Sequence, residues 1–343
     1  MTLVMTLLVR DEADIIEEHI AFHLAAGVDF FVATDHSSSD GTTDVLERYA
    51  ARGVLHLLHE SDASFHQSRW VTRMARLAAT QFGAKWVINS DADEFWWPSG
   101  GNLKDVQELV PHQFGIVHTF VRPFLPRPGE EPFAERLIVR LAARAPVNDP
   151  SSSFRGGVRV THRASPDVVV TTGNAGVSDG RMAPLRGWSP IEVLHFPLRS
   201  YEQFERKFLA HYSTVGGRRR DHVRAHRAGE VGKLRELYEE IYASEDQVRR
   251  GLAEGSLAID TRIRDALRAL AANPGVPLVF RPRTVSEDIG YALEGAAIDE
   301  AEFVRTSRQL DELEQRVASI EQASKSRRIG AGGARAQAVS RSL

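Results

Sequence analysis

Trp86–Glu94 reads WVINSDADE, an apolar run of strand character that ends abruptly in three carboxylates, Asp91, Asp93 and Glu94. What precedes this stretch decides its meaning. Thr2–Val9 (TLVMTLLV) is near-continuously apolar, as a strand covered on both faces is. Ala13–Ala26 has a helical apolar pattern stopped by Gly27, and Val28–Thr34 (VDFFVAT) is a second strand. His36–Thr43 is a turn and cap, followed by a helix over Asp44–Ala51, a third strand over Val54–His59 and a helix over Phe65–Phe82. WVINS is then the fourth strand. This alternation predicts an α/β fold, a doubly wound, mostly parallel sheet with right-handed crossovers and helices on its faces. Ligands of such sheets bind beyond the carboxyl ends of the strands. The loops that open at Arg10, Asp35, Glu60 and Asp91 are therefore the ones to watch.

Whole-chain properties narrow the class. The chain has 343 residues, 42% apolar and 26% charged, enough for a sizeable core. At about 150 residues per domain this is two domains, or one large α/β domain with an appendage. A net charge of −3 argues against a generic nucleic-acid binder, and the absence of Cys excludes disulfides, thiolate metal sites and a Cys nucleophile. The N-terminal apolar run is far short of the roughly 20 residues that cross a bilayer. It runs straight into Arg10, Asp11, Glu12 and Asp14 with no cleavage site, so the expectation is a cytoplasmic protein, with peripheral membrane contact left open. Residues 1–98 carry 15 acids against 7 bases, whereas Ser324–Leu343 carries five bases and no acid and reads as a disordered basic tail.

After Pro98 the pattern breaks into a short helix (Leu103–Val110), a strand (Ile116–Val121), a proline-rich stretch and short β-like pieces ending in Ile191–Phe196. From Tyr201 the chain reads mostly helical. Ile298–Ala323 places Phe303, Leu310, Leu313, Val317 and Ile320 at heptad-like spacing, which suits a homodimeric coiled coil or a helix packed on its own domain.

Three carboxylates at one strand end repel and raise one another's pKa values, and a hard divalent cation relieves that cost. Short acidic runs are commonly solvated loops, yet this one is followed by Phe95-Trp96-Trp97, which such a loop would rarely carry. Asp91 and Asp93 converge only if the chain turns after Asp91. In the segment Asp35–Thr42, Asp40 to Thr42 suit a helix cap, while Asp35 has no capping duty and is a candidate reader of a nucleotide. The helix Phe65–Phe82 points its N-terminus at the ligand edge, making Gln67 and Arg69 candidate donor contacts and Trp70 a core residue.

Taken together, Leu7–Thr42, Gln67–Ala78, GAKWVINSDADEF (Gly83–Phe95) and VLHFPLRSYEQFERKF (Val193–Phe208) resemble the family 2-like nucleotide-sugar glycosyltransferases of the GT-A fold, and within them a bacterial subgroup with an Asp-x-Asp-Glu-Phe motif. The resemblance covers residues 3–98 most closely and continues in order to about 215. It implies a GT-A domain over 1–215, with a nucleotide-binding half (1–98) and an acceptor half (99–215), a helical extension over 216–323 and the tail 324–343. It implies that Arg10 and Asp35 hold the nucleotide base of a UDP- or GDP-type donor, that Asp91 lies near ribose and metal, and that Asp93 ligates Mn2+ or Mg2+. It makes Lys207 and Arg199 candidates to reach the donor diphosphate, while Arg206 reads as a surface charge. His195, inside the apolar run IEVLHFP, is otherwise a core or edge histidine; the resemblance makes it a third metal ligand. An inverting transfer needs a carboxylate to deprotonate the acceptor hydroxyl, with Asp149, Asp167, Asp179 and Glu192 as candidates and Glu94 close to the metal. Thr172-Gly173-Asn174-Ala175 departs at Ala175 from relatives that read Gly-Asn-His. The Arg-rich segment Gly216–Ala228 is a solvated face or a site for an anionic acceptor, such as a lipid-linked or acidic glycan. Two other readings remain: a sugar nucleotidyltransferase, although Leu8–Glu12 lacks the expected Gly-rich loop, and a non-catalytic scaffold on the same fold.

Overall fold

The four N-terminal strands β1 (Leu3–Val9), β2 (Phe30–Asp35), β3 (Leu55–His59) and β4 (Trp86–Ser90) pair in parallel in the order β3-β2-β1-β4 in the computed structural model. Between them run α1 (Ile16–Ala25), α2 (Thr42–Ala51) and α3 (Gln67–Thr80). The structure describes residues 1–62, 64–142, 158–186, 188–207, 233–285 and 287. Gly27, in the left-handed region at φ +104°, ends α1, and a Cβ there would meet the Asn102 side chain at 3.0 Å. β1 and β4 are buried almost throughout, which explains their unbroken apolar runs.

The sheet continues through strands the sequence marks less clearly. After β5 (Glu94–Pro98), α4 (Leu103–Glu108), β6 (Phe114–Pro123), α5 (Phe133–Arg136), β7 (Val139–Leu141), β8 (Val158–Arg163), β9 (Val169–Val170), β10 (Val177–Ser178), β11 (Ala183–Leu185) and β12 (Ile191–His195), the full order reads β3-β2-β1-β4-β8-β6-β12-β5, with β11 beside β6. β8 is antiparallel to both β4 and β6; β12 is parallel to β6 and antiparallel to β5. The mostly parallel α/β sheet flanked by helices is thus as expected, with antiparallel strands added.

β5 is absent from the sequence reading, which leaves DADEFWWP as a loop. Phe95 and Trp96 are fully buried and turn this segment into the strand at the end of that order. They pack with Phe22, Phe124, Phe133 and Phe196 in the main core. The helices that follow β12, α6 (Tyr201–Lys207), α7 (Leu234–Ile241), α8 (Glu245–Glu254) and, after β13 (Leu257–Ile259), α9 (Arg262–Ala272), lie with the sheet in one compact unit, Met1–Glu294. Ile263, Ala266 and Phe280 join the main core. These three residues, which the sequence places in or next to a separate extension, thus share the core of the preceding ones. Among the described residues no helix is long and apolar enough to cross a membrane. Asp149, the basic segment 216–228, the heptad stripe 298–323 and the tail 324–343 lie outside the described residues.

Candidate functional site

The chain turns directly after β4, with the Glu94 N–H donating to the Asp91 carbonyl at 3.2 Å. This is the turn that the two aspartates require, yet they face different partners. Asp91 Oδ1 accepts from Asn174 Nδ2 at 3.1 Å, and Arg159 stands 3.7 Å from its other oxygen. Asp93 accepts from Lys207 Nζ at 2.8 Å, faces His195 Nε2 at 3.4 Å and has Arg199 at 3.7 Å. Glu94, fully buried, pairs with Arg159 at 2.5 Å. Burial pushes the Asp93 carboxyl up, but Lys207, His195 and Arg199 together hold it well below the usual carboxylate range. Burial wins at Glu94, whose carboxyl is pushed up to about 7 against the pull of Arg159.

His195 reaches this place through sheet pairing. β12 runs antiparallel to β5 with His195 opposite Glu94, and the Phe196 N–H donates to the Asp93 carbonyl at 2.9 Å. α6 then carries Lys207 back over Asp93 and over Glu12, 3.2 Å away. Glu12, on the loop after β1, is a site residue the sequence reading passed over. Burial raises its carboxyl despite Lys207 and Arg199. Arg159 was also missed, because nothing in VRVTHR marks which arginine turns toward the acids.

Arg199 differs from expectation. Its guanidinium is 1% exposed and is consumed by Glu12, by Asp14 at 2.7 and 2.9 Å, and by the Phe196 carbonyl at 3.1 Å. It ties the loop after β1 to the start of α6 and is closed off from a diphosphate. Lys207, 34% exposed, is the cation that a ligand can reach. Arg206 stands 3.9 Å from Asp40, half-exposed.

Asp35 does not cap the next helix, whose N-cap is Gly41, but it has a structural duty the sequence did not show. It is buried at the end of β2, and each oxygen has a task inside the loop: Oδ1 accepts from the Ser38 N–H at 3.1 Å and Oδ2 from the Thr43 hydroxyl at 2.5 Å. A carboxylate before a Ser/Thr-rich turn can fold that turn over itself. Arg10, partly exposed, lies across the neighbouring loop with its Nε 3.8 Å from Asp11. Gln67 accepts from the Gly173 N–H at 2.9 Å, so its carbonyl pins a loop, while Arg69 is exposed on the same helix. Trp70 is buried, as expected.

Three of the candidate proton acceptors, Glu192, Asp179 and Asp167, separate from the acidic cluster. Glu192 is buried between Arg122 (3.1 Å) and Arg262, enclosed by their two guanidinium groups. Asp179 accepts from the Ser165 hydroxyl, just past the end of β8 that pairs with the first residue of β4. That is the opposite edge of the sheet from Asp91. Asp167 pairs with Arg181 on the surface.

Among the described residues no group of three or more His, Asp or Glu side chains is arranged to hold a metal ion. Asp93 and His195 do present two donor atoms 3.4 Å apart, close to the ~3 Å between neighbouring ligands on one octahedral cation. Magnesium is commonly held by one or two carboxylates with substrate phosphates completing its shell, so this pair fits such an ion, whereas Asp91 faces away toward Asn174 and Arg159.

Among curated proteins none matches the sequence. Among solved structures, the chain is similar to S. aureus TarS 1–349 in complex with UDP, at 13% identity and a TM-score of 0.33, over 61% of this chain and 65% of that one. It is also similar to glucosyl-3-phosphoglycerate synthase from Mycobacterium tuberculosis in complex with Mn2+, UDP and phosphoglyceric acid, at 21% identity and a TM-score of 0.25, over 37% of this chain and 44% of that one. Residues 4–120, from β1 into β6 and including the whole acidic turn, match the model of glycosyltransferase family 92.

Proposed function

We propose that the protein transfers a sugar, with inversion, from a nucleoside-diphosphate donor of UDP or GDP type to a hydroxyl of a glycan or lipid-linked acceptor. The observation that carries this reading is the acidic turn Asp91–Glu94 at the carboxyl end of β4, faced by His195 and by the solvent-accessible ammonium of Lys207. The family 92 match over residues 4–120 supports it. Asp93 and His195 would hold a Mn2+ or Mg2+ ion, which when bound supplies Lewis-acid stabilisation of the departing diphosphate. Lys207 sits between Asp93 and Glu12, placed to turn its charge toward a phosphate oxygen. Arg199 acts from behind, helping to hold the Asp93 carboxyl low and opposing the burial that raises Glu12, without touching the ligand. Asp35 shapes the loop His36–Ser39 beside Arg10, where the nucleotide base would lie.

The test is calorimetric titration with UDP and GDP, with and without Mn2+. The expected result is nucleotide binding that manganese strengthens, with the manganese increment lost in Asp93→Asn. A folded wild-type protein that binds neither nucleotide under either condition refutes the proposal.

A further inference from the structure

Asn174 lies in a loop that the acidic turn alone does not explain. The short 3-10 turn Thr172–Asn174 joins β9 to β10, and two of its residues in succession adopt left-handed backbone, Gly173 at φ +78° and Asn174 at φ +53°. The conformation is pinned from both sides. The Gly173 N–H donates to Gln67 Oε1 at 2.9 Å, and the Thr171 N–H and hydroxyl both donate to the Gly176 carbonyl. This arrangement drives the Asn174 side chain inward, where it is 1% exposed and donates through Nδ2 to Asp91. Its Oδ1 is buried and has no hydrogen-bond partner among the described residues.

A buried amide oxygen without a partner is costly and uncommon, and a left-handed non-glycine residue adds strain. Both costs fall on one residue, at the first carboxylate of the acidic turn. A lone amide oxygen accepts from any O–H or N–H donor, and the hydroxyls of a nucleotide sugar are donors of that kind.

We propose that Asn174 is a positioning and specificity residue: its amide N–H fixes Asp91 while its Oδ1 accepts a hydrogen bond from a sugar hydroxyl of the bound donor. This rests on the nucleotide-sugar reading above and names a recognition contact within that site. The hydroxyl has two sources, the ribose of the nucleotide or the sugar being transferred.

The test uses the full chain and whichever of UDP and GDP it binds, with the 2′-deoxy and 3′-deoxy nucleotides and the glucose conjugate as further probes. Asn174→Gly removes the side chain, and the strain that glycine relieves at φ +53° offsets the lost hydrogen bond to Asp91, so the melting temperature should stay near the wild-type value. If the ribose is the source, wild type binds the parent nucleotide about 2–10-fold better than one deoxy form, the worth of one hydrogen bond, and Asn174→Gly does not discriminate. If the transferred sugar is the source, a sugar-dependent gain of similar size in wild type is lost in Asn174→Gly. Equal discrimination by wild type and Asn174→Gly overturns the proposal alone. A wild-type protein that binds neither nucleotide overturns the nucleotide-sugar reading and this proposal with it.

Discussion

Arg199→Met tests whether the acidic turn is held together by charge balance. The guanidinium is 1% exposed and faces Glu12, Asp14 and Asp93. Methionine replaces much of the buried stem, so the loss is mainly electrostatic. Removing one partner from a buried ion network costs about 3–5 kcal/mol, because the remaining charges are left uncompensated. Lys207 still faces Glu12 and Asp93, and Asp14 is partly exposed, which places the expected loss near the lower end, about 3 kcal/mol. For a unit of this size that is a fall in melting temperature of about 6 °C. The pH dependence has a definite sign. Asp14 and Asp93 have lowered pKa values in the wild type, so their stabilisation is present above the ordinary carboxylate range and is lost as pH falls through the lowered values. Without Arg199 these carboxyls protonate at higher pH, which relieves the uncompensated charge. The gap between wild type and variant should therefore narrow as pH falls from 7 to about 4, into the ordinary carboxylate range. Urea unfolding at the two pH values measures it. A loss below about 1 kcal/mol at pH 7, or a gap that widens on acidification, refutes the reasoning.

Lys207→Met should weaken UDP or GDP binding by about tenfold or more while leaving uridine or guanosine binding unchanged, since the lost contact is a charge-assisted one to phosphate; equal weakening of nucleoside and nucleotide would count against it. Glu192→Gln should lower stability by breaking the buried pairs with Arg122 and Arg262, yet leave nucleotide affinity at the wild-type value, as calorimetry would show. Burial lowers the His162 imidazole to about 4, so its contribution to stability is full above about pH 6.5 and fades as pH falls toward that value. The stability difference between wild type and His162→Gln should accordingly narrow by about 1.4 kcal/mol per pH unit over this range, and a difference that stays constant with pH would contradict it.

Periodicity and position made the nucleotide-binding half legible. β1 and β4 are covered on both faces and leave unbroken apolar runs, and the acids after Ser90 had to emerge at the carboxyl edge once the strand was parallel. β5 was not legible, because EFWWP has neither the length nor the alternation of a strand and becomes one only against β12. Glu192 and Asp179 read as free carboxylates in a list of residues, and only the fold shows one clamped by arginines and the other at the far edge.

The chain alone thus determined the layer order, the ligand edge and the identity of the acidic turn, all of which follow from local periodicity and the direction of four parallel strands. Which groups face that turn was decided by the tertiary structure. Asn174, His195, Arg199 and Lys207 lie about 80 to more than 100 residues from the acids they contact, and Arg199 lies nearly 190 from Glu12. Contacts at such separation depend on the pairing of β12 with β5 and on the pinned loop after β9. No short-range pattern encodes them, because each arises when distant apolar segments are buried together and carry their polar neighbours with them.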